Sequence, residues 1–320
     1  MSVASTMADQ LRGQPVKVVV WIPVYKQELS LPELLSLYQT AMMLKQVGSL
    51  LAGKFQHIEF LTRLSNDLPN ASVKAYPDST FSSVSSYCNL LLSPRFYAEF
   101  GSAHLLIVQL DAWICGSDFQ SFLSYDYVAP PFFPYPLEPT LAKARCIGVG
   151  VGGLSLRSAP ALHAALKQGL SFYEKKVRKR TLATFNLKGK LAVWFHYLLQ
   201  RIANIWSPYP SSSPGLTALN CNEDWVIGIY CFNRLQVACR SAAVRFGLDA
   251  YTAEYLELLK PSLPFGLHGW YRDRDRLADC REVLLSTLQP GWSVFLERFG
   301  YRFREDCPQE LFNSIAALLE

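Results

Sequence analysis

The chain has 320 residues, of which 50% are apolar, 13% aromatic and 18% charged. This composition excludes an intrinsically disordered protein, because enough apolar surface is present to form a sizeable core. The formal net charge of +5 is mild; it permits an anionic small molecule, a nucleic acid or a membrane surface as partner and selects none of them.

Residues 1–15 are interpreted as a loose leader, and the predicted elements follow in chain order. Residues 16–24 are a continuous β-branched run that predicts a buried strand, far shorter than the roughly 20 residues that span a bilayer. The run also lacks the cleavage-like site of a signal peptide. Apolar residues at helical spacing behind a serine N-cap predict a helix over 31–53. Residues 57–64 predict a short strand.

The middle of the chain continues this alternation. Residues 82–100 are helical in pattern with a break near Pro94, and residues 103–113 predict a second buried strand. A glycine-rich strand is expected over 146–158, followed by a helix over 159–176. Continuous apolar strands that alternate with helices predict an α/β protein with a mixed, mainly parallel sheet flanked by helices. Ligands of such sheets bind at the carboxyl ends of the strands.

The second half of the chain is mainly helical in pattern. Residues 167–206 contain a basic cluster over 175–180 and continue as an apolar, aromatic helix. The basic cluster is read as a solvated helix face, with contact to an anionic lipid or polymer as the alternative. Helical pattern resumes from residue 222 to about residue 250, and residues 277–320 predict C-terminal helices.

The eight cysteines form no C-x-x-C pair and no metal-finger spacing. They are interpreted as free, mostly buried thiols in a reducing compartment. The expected location is therefore cytoplasmic, with the inner face of a membrane as a further expectation through residues 174–206.

Two strand ends and one strand-like stretch draw attention to particular residues. Tyr25 follows the first strand, and the apolar run LLIVQL ends at a single acid, Asp111. A strand-end carboxylate beside a polar loop suits a hard cation such as Mg²⁺ or Mn²⁺, and a loop or helix cap is the alternative. Gly148, Gly150 and Gly153 match G-x-G-x-x-G, which would favour a nicotinamide oxidoreductase, but an extended stretch rather than a helix follows them.

Two later motifs add ionisable side chains. In NEDW, Glu223 and Asp224 are either ordinary first-turn acids favoured by the helix dipole or a general base at the rim of a site. In LPFGLHGW, His268 is flanked by glycines, so it is expected to be exposed and able to reach a metal or a phosphate. Trp270 is expected to stack on a sugar ring.

As a set, these segments resemble a known family. The chain contains, in order, FSSVSSYCNLLLSPRFYAEF, LLIVQLDAW, YDYVAPPFF, VGGLSLRS, NEDW and PFGLHGW. Their order and spacing, from about Val18 to Trp270, resemble the DUF5672 family of glycosyltransferase-like proteins. The resemblance implies a GT-A-like, Rossmann-like domain over 16–275, with a nucleotide-sugar half over 16–130 and an acceptor half over 131–275, before C-terminal helices over 276–320.

The resemblance also implies a role for each matching residue. Gln109 and Asp111 stand where other GT-A enzymes have a D-x-D metal motif, and His268 would complete a site for Mn²⁺ or Mg²⁺. Glu223 and Asp224 would supply the catalytic base. The implied donor-binding residues are Pro23, Val24, Tyr25, Tyr87, Asn89, Gln109 and Asp111. The implied acceptor and sugar-binding residues are Gly152, Gly153, Arg157 and Trp270.

The expected function is transfer of a sugar from a nucleotide-sugar donor to a hydroxyl of a glycan, polysaccharide or lipid-linked saccharide. We expect a metal-assisted, inverting reaction, with UDP-sugars favoured over GDP-sugars and no nucleic acid as partner. The alternative is a non-catalytic module with a degenerate GT-A fold that binds glycans or a partner protein. The single acid of the Gln109-x-Asp111 segment favours that alternative.

Overall fold

The computed structural model describes residues 17–169, 187–214 and 222–319. Three features interpreted from the sequence lie outside these residues: the leader over 1–15, the basic cluster over 175–180 and Cys221. The other seven cysteines are all free thiols.

The described residues form eleven strands, most of them short. They are β1 (Val18–Pro23), β2 (Ser49–Lys54), β3 (Ala71–Tyr76), β4 (His104–Val108), β5 (Ala112–Ile114), β6 (Tyr127–Val128), β7 (Pro131–Phe132), β8 (Gly148–Val149), β9 (Leu154–Ser158), β10 (Gly247–Leu248) and β11 (Gly266–His268). The central sheet has the order β3-β2-β1-β4-β9-β6. Its first four strands are parallel, and β9 and β6 add an antiparallel edge. The predicted mixed, mainly parallel sheet is confirmed.

Twelve helices are present among the described residues. They are α1 (Leu31–Met43), α2 (Ile58–Asn66), α3 (Val84–Leu91), α4 (Pro94–Ala98), α5 (Ala159–Lys167), α6 (Leu187–Ile205), α7 (Glu223–Trp225), α8 (Arg240–Phe246), α9 (Thr252–Leu259), α10 (Arg274–Thr287), α11 (Trp292–Glu297) and α12 (Pro308–Leu318). None of them is long and apolar enough to cross a membrane. The predicted break near Pro94 separates α3 from α4, and the predicted C-terminal helices are α10 to α12.

Both faces of the sheet are buried, which explains the continuous apolar strands. On β1, Val20 and Ile22 pack into one hydrophobic cluster, and Trp21 packs into the other. Successive side chains of a strand point to opposite faces, so each face needs its own covering layer. Helices α1, α10, α11 and α12 contribute to the first cluster, and α3, α4 and α5 contribute to the second. The fold is therefore a three-layer arrangement with the sheet in the middle.

Two of the predicted elements are wrong in the first third of the chain. The helix expected over 31–53 ends at Met43, and β2 follows it. Gly48 makes the turn between them with a φ of +81°, a left-handed conformation that favours glycine. The segment 57–64 forms most of α2 rather than a strand. Its buried residues, Leu61 and Leu64, are three positions apart, which is the spacing of one helix face, and the strand prediction overlooked it.

The helical pattern expected from residue 222 to about residue 250 is also interrupted. Helix α7 is only three residues long, and it leads through the π-turn Val226–Tyr230 and the short 3₁₀ turn Phe232–Arg234 to α8. Strand β10 then pairs with β11, which in turn pairs antiparallel with β5. This small second sheet brings the end of β10 beside the start of β5, and that placement builds part of the site described next.

Candidate active site

A cavity of about 540 Å³ opens at the carboxyl edge of the central sheet. The sheet edge is where α/β proteins bind their ligands, because side chains after several parallel strands converge there. Many of the sequence-predicted site residues line this cavity. They are Pro23, Tyr25, Tyr87, Gln109, Gly152, Gly153, Glu223, Asp224 and His268. The structure therefore brings together residues that are up to 245 positions apart in the chain.

One wall of the cavity is built by the ends of the small second sheet. Because Ala112 pairs with His268 across β5 and β11, Asp111 lies next to the histidine. The imidazole Nε2 is 3.4 Å from Asp111 Oδ1, and Nδ1 is 2.9 Å from Asp249 Oδ1. Asp249 follows β10, which runs parallel to β11. We call Asp111, His268 and Asp249 the cation wall; of the three, His268 lines the cavity, Asp111 lies behind it, and Asp249 lines a neighbouring cavity.

The charges of the cation wall stabilise one another. Burial of the His268 ring favours its neutral form, but the two carboxylates outweigh burial and raise the pKa of His268 to about 10. Burial alone would likewise raise the pKa of Asp111, yet the charge of His268 prevails and lowers it. The pKa of Asp249 is lowered strongly by His268 and by Arg272, whose Nη2 donates to it over 3.0 Å.

The opposite wall carries two acids in the first turn of α7. Asp224 Oδ2 accepts from the backbone N–H of Gly152 over 3.2 Å, and Oδ1 accepts from the N–H of Trp225 over 2.7 Å. Glu223 is buried; its Oε1 pairs with Arg157 Nη2 over 3.2 Å, and its Oε2 accepts from the Cys88 thiol over 3.2 Å. We call Glu223, Asp224 and Arg157 the acid wall.

Electrostatics at the acid wall are the reverse of those at the cation wall. Burial and the neighbouring charge of Glu223 raise the pKa of Asp224 to about 7. Arg157 offsets this effect only in part, because its Nη2 is paired with Glu223 while its Nη1 and Nε donate to Tyr97 and Ser155. A carboxyl group with a pKa near neutrality in a cavity is matched to taking up and releasing a proton.

The paired glycines of the predicted G-G-x-S-L-R segment separate these two walls. A Cβ atom at Gly152 would overlap Glu223 Oε1, and a Cβ at Gly153 would overlap His268 Nε2 and Gln109 Oε1. Glycine at both positions therefore lets the side chains of the two walls lie directly on the backbone. The earlier G-x-G-x-x-G interpretation does not hold, because strand β9 rather than a helix follows Gly153.

Four of the expected donor-side residues lie at the cavity, and their role in binding a donor stays a prediction. Pro23 ends β1, Tyr25 follows it and is about half exposed, and both line the cavity. Gln109 Nε2 donates to the Tyr87 hydroxyl over 3.2 Å, so these two side chains form one polar patch on the cavity surface. Tyr87 is held by stacking on Trp21, with ring centroids 6.2 Å apart.

Two donor-side predictions are wrong in position. The Val24 side chain is buried in the core rather than exposed to the cavity. Asn89 lies on the other side of α3, where it lines a separate cavity of about 210 Å³ together with Gln200 and Asn204 of α6. Side chains at i and i+2 of a helix point in different directions, so Tyr87 and Asn89 cannot share one site.

Three further expectations are corrected by burial. Trp270 is 0% exposed and packs on Trp113, so it cannot stack on a sugar. Arg157 is also 0% exposed and positions Glu223 instead of contacting a ligand. His268 is buried between its two carboxylates rather than exposed and mobile, although its Nε2 has no hydrogen-bond partner among the described residues.

Sequence reasoning missed two polar residues of the site. Asp249 follows the two-residue strand β10, and the strand-end signal that identified Asp111 applies to it as well. A two-residue strand has no readable periodicity, which is why the signal was not found. Cys88 donates to Glu223, and burial raises its pKa so that it remains a thiol. Nothing in its local sequence distinguishes it from a core cysteine.

The cation wall has the donor set for a divalent cation that is shared with a ligand. His268 Nε2 is a buried polar atom without a hydrogen bond, and Asp249 holds the opposite ring nitrogen, as in carboxylate–histidine–metal sites. With Asp111 this gives two protein ligands. No group of three or more His, Cys, Asp or Glu among the described residues is placed to hold a metal. The wall therefore fits an ion that takes its remaining ligands from phosphate oxygens and water.

The fold and the cavity define an α/β protein with a polar ligand site at the carboxyl edge of a mainly parallel sheet. A profile described as "Protein of unknown function (DUF5672)" matches residues 70–268. The chain belongs to the DUF5672 family, and the resemblance drawn from its motifs is confirmed. The matched range includes Tyr87, Asp111, both α7 acids and His268. No curated protein matches the chain.

Solved structures with a related outline include two glycosyltransferases. The apo form of the glycosyltransferase GlyE from Streptococcus pneumoniae TIGR4 aligns with 12% identity and a TM-score of 0.43, covering 89% of this chain and 63% of that one. The bifunctional glycosyltransferase WbbM, in its apo structure, aligns with 8% identity and a TM-score of 0.41, covering 89% and 52%. The chain thus spans less than two thirds of either protein, and similarity at this level carries no argument about its reaction.

Proposed function

We propose that the protein transfers a sugar from a nucleotide-sugar donor to a hydroxyl group of a saccharide or lipid-linked acceptor. The observation that carries this proposal is the presence of two different sites in one cavity: a carboxyl group with a pKa of about 7, and a histidine held between two ionised carboxylates. A transfer reaction that takes a proton from the acceptor and releases an anionic leaving group needs both a proton-accepting group and a positive charge.

The donor is proposed to lie between β1 and the cation wall. Tyr25 and the Gln109–Tyr87 patch would contact the nucleotide. His268 Nε2, which lies 3.4 Å from Asp111 Oδ1, would face the diphosphate, where its positive charge favours a phosphate oxygen. A divalent cation, when held by Asp111 and His268 in place of the histidine proton, would stabilise negative charge on the departing diphosphate.

On the acid wall, Asp224 is proposed to act as the general base. Its carboxylate takes the proton of the acceptor hydroxyl while that oxygen bonds to the anomeric carbon. The anomeric C–O bond to the diphosphate breaks, and the nucleoside diphosphate leaves with the electron pair. Attack from the face opposite the leaving group inverts the anomeric centre. Glu223 is paired with Arg157, so it keeps Asp224 protonatable near neutral pH rather than acting as the base itself.

A panel of UDP- and GDP-sugars with Mn²⁺ tests the proposal. Wild-type protein should hydrolyse or transfer at least one donor, and Asp224→Asn should lower the transfer rate by about 10²- to 10⁴-fold while donor affinity stays near wild type. Asp118→Asn, in a loop outside the cavity, is the matched control and should keep full activity. If Asp224→Asn also keeps full activity, Asp224 is not the base.

A non-catalytic binding module is the second candidate. It is favoured by Gln109, which stands where a second acid would complete a D-x-D motif, and by the two-ligand cation wall. Such a module would bind a glycan or a partner protein without metal-dependent nucleotide affinity. Failure of every donor in the panel, together with glycan binding by the intact protein, would favour the module over the transferase.

A further inference from the structure

Helix α6 carries a large apolar surface that the other described residues do not cover. Trp194 is 54% exposed and Trp206, directly after the helix, is 84% exposed. Monomeric proteins rarely leave a contiguous apolar area of this kind in water. The other exposed apolar side chains of this segment are Leu191, Phe195, Leu198, Leu199, Ile202 and Ile205.

These eight side chains share one face of the helix. At 3.6 residues per turn they fall within an arc of about 140°. The half-buried and buried residues lie on the opposite side: Tyr197 is buried, and Gln200 and Asn204 border the small cavity beneath α3. The helix therefore contacts the protein body through a polar line and presents its apolar face outward, the reverse of an ordinary surface helix.

The sequence around this helix is basic and contains no acid. Between Glu174 and Glu223 there is no Asp or Glu, but there are eight Lys or Arg residues: Lys175, Lys176, Arg178, Lys179, Arg180, Lys188, Lys190 and Arg201. The whole chain has 31 Lys and Arg against 26 Asp and Glu, so without these eight cations the remainder is net acidic. The positive charge is thus concentrated in the segment of sequence that contains α6.

We propose that α6 docks the protein on an anionic lipid bilayer, with its axis in the plane of the interface. An outward apolar face rich in Trp, Phe and Leu beside basic residues is the pattern of helices that lie at the headgroup boundary. Charge complementarity selects an anionic surface. A second copy of the chain fits less well, because two chains with the same positively charged segment of sequence would repel each other.

The position of α6 also relates the bilayer to the cavity. The segment 79–90 borders the small cavity that Gln200 and Asn204 of α6 also line, and its residues Ser83, Val84 and Tyr87 line the candidate active site. A bilayer bound to α6 would lie near this wall of the cavity. Provided that the proposed transfer reaction holds, this arrangement favours the lipid-linked class of acceptor over a freely diffusing glycan.

Vesicle flotation with the full-length protein tests the docking. Wild-type protein should float with vesicles of phosphatidylcholine mixed with phosphatidylglycerol and should float weakly with phosphatidylcholine alone, and added salt should reduce binding. The double variant Trp194→Glu with Leu198→Glu should lower partitioning by at least about 100-fold, since each buried apolar side chain contributes roughly ten-fold or more.

The matched control is Leu258→Glu with Val294→Glu, two exposed apolar residues on α9 and α11. It should float like wild type, and circular dichroism should give the same helix content for all three proteins. Absence of flotation with anionic vesicles, or equal flotation of the α6 variant, overturns the proposal. The wild-type protein could instead form a stable dimer in sedimentation and bind no vesicles, with the dimer lost in the α6 variant. That result assigns the apolar face to a second copy and also overturns the proposal. No sugar nucleotide is present, so a failure here leaves the proposed transfer reaction untouched.

Discussion

The two walls of the cavity use the same kinds of side chain to opposite effect. In the cation wall, two carboxylates share one histidine, and the pKa values of Asp111 and Asp249 are lowered. In the acid wall, two carboxyl groups are near a single cation, Arg157, whose ion pair is with Glu223, and the pKa of Asp224 is raised. Whether a carboxyl group of this cavity is ionised near neutral pH therefore depends on whether a cation pairs with it.

The comparison explains how one cavity can hold a fixed charge and a mobile proton. Asp111 and His268 remain ionised across the neutral range, so that wall keeps a constant charge pattern for an anionic ligand. Asp224 changes charge near neutrality. Pairs of titratable groups whose environments separate their pKa values mark acid–base assignments in enzymes. Each prediction below changes one of the walls and leaves the other intact.

Removing the buried cation of the acid wall should have the largest effect. Arg157→Met leaves the Glu223 carboxylate buried without its charge partner, so the free energy of unfolding should fall by about 3–5 kcal/mol. Urea denaturation measures it. The control Arg304→Met removes an exposed arginine that pairs with Asp306 and should change stability little. Equal losses in both variants would show that the Arg157 pair is not a structural requirement of the wall.

A methyl group between the walls should displace the cation wall. Gly153→Ala places a Cβ on His268 Nε2 and Gln109 Oε1, and the Gly153 carbonyl is pinned by the Gln109 N–H over 2.7 Å. Because misplacement of a reacting group by about 1 Å can cost about 100-fold, kcat/KM should fall by that order. Gly116→Ala is the control, since nothing lies within 4 Å of its new Cβ. Wild-type activity in Gly153→Ala would show that the position of His268 does not matter for the reaction.

Loss of the carboxylate behind His268 should weaken metal-dependent binding. Asp249→Asn keeps the shape of the side chain but removes the charge that orients the imidazole through Nδ1. Substitutions of such orienting groups cost about 10- to 100-fold in metal affinity, which Mn²⁺ titration followed by electron paramagnetic resonance measures. Asp275→Asn, a carboxylate of the neighbouring cavity, serves as control. An unchanged affinity in Asp249→Asn would remove Asp249 from the site.

The pH dependence should differ between the two walls. The pKa of Asp224 is raised to about 7, so the base carries a proton below that pH and is free above it. The value of kcat/KM should therefore fall about tenfold per pH unit below neutrality and level off above it. Donor affinity measured without added metal should stay flat over the same range, because neither Asp111 nor His268 changes charge there. A transfer rate that is flat from acidic to neutral pH would contradict the assignment of Asp224.

Much of the sheet could be predicted from sequence, because strands buried on both faces have continuous apolar runs. This signal located β1 and β4 and placed Asp111 at a strand end. It failed for β2, which has as many buried positions as β4 but was included in the helix predicted over 31–53, and for β3, which has one buried position. The site residues divide in the same way, into those that a local pattern identifies and those that it does not. Motifs gave Gln109 and the α7 acids, but the burial of Trp270 and the pairing of Asp249 with His268 depend on long-range packing, which leaves no local pattern.

Calorimetric titration of UDP and GDP in the presence of Mn²⁺ into wild-type protein and Asp111→Asn tests the central claim most directly. The account predicts metal-dependent nucleotide binding by the wild type and a loss of at least about tenfold in the variant, since the proposal makes Asp111 one of two protein ligands of the cation, beside His268. Metal-dependent binding of equal strength in both proteins, or none in the wild type with either nucleotide, would contradict it.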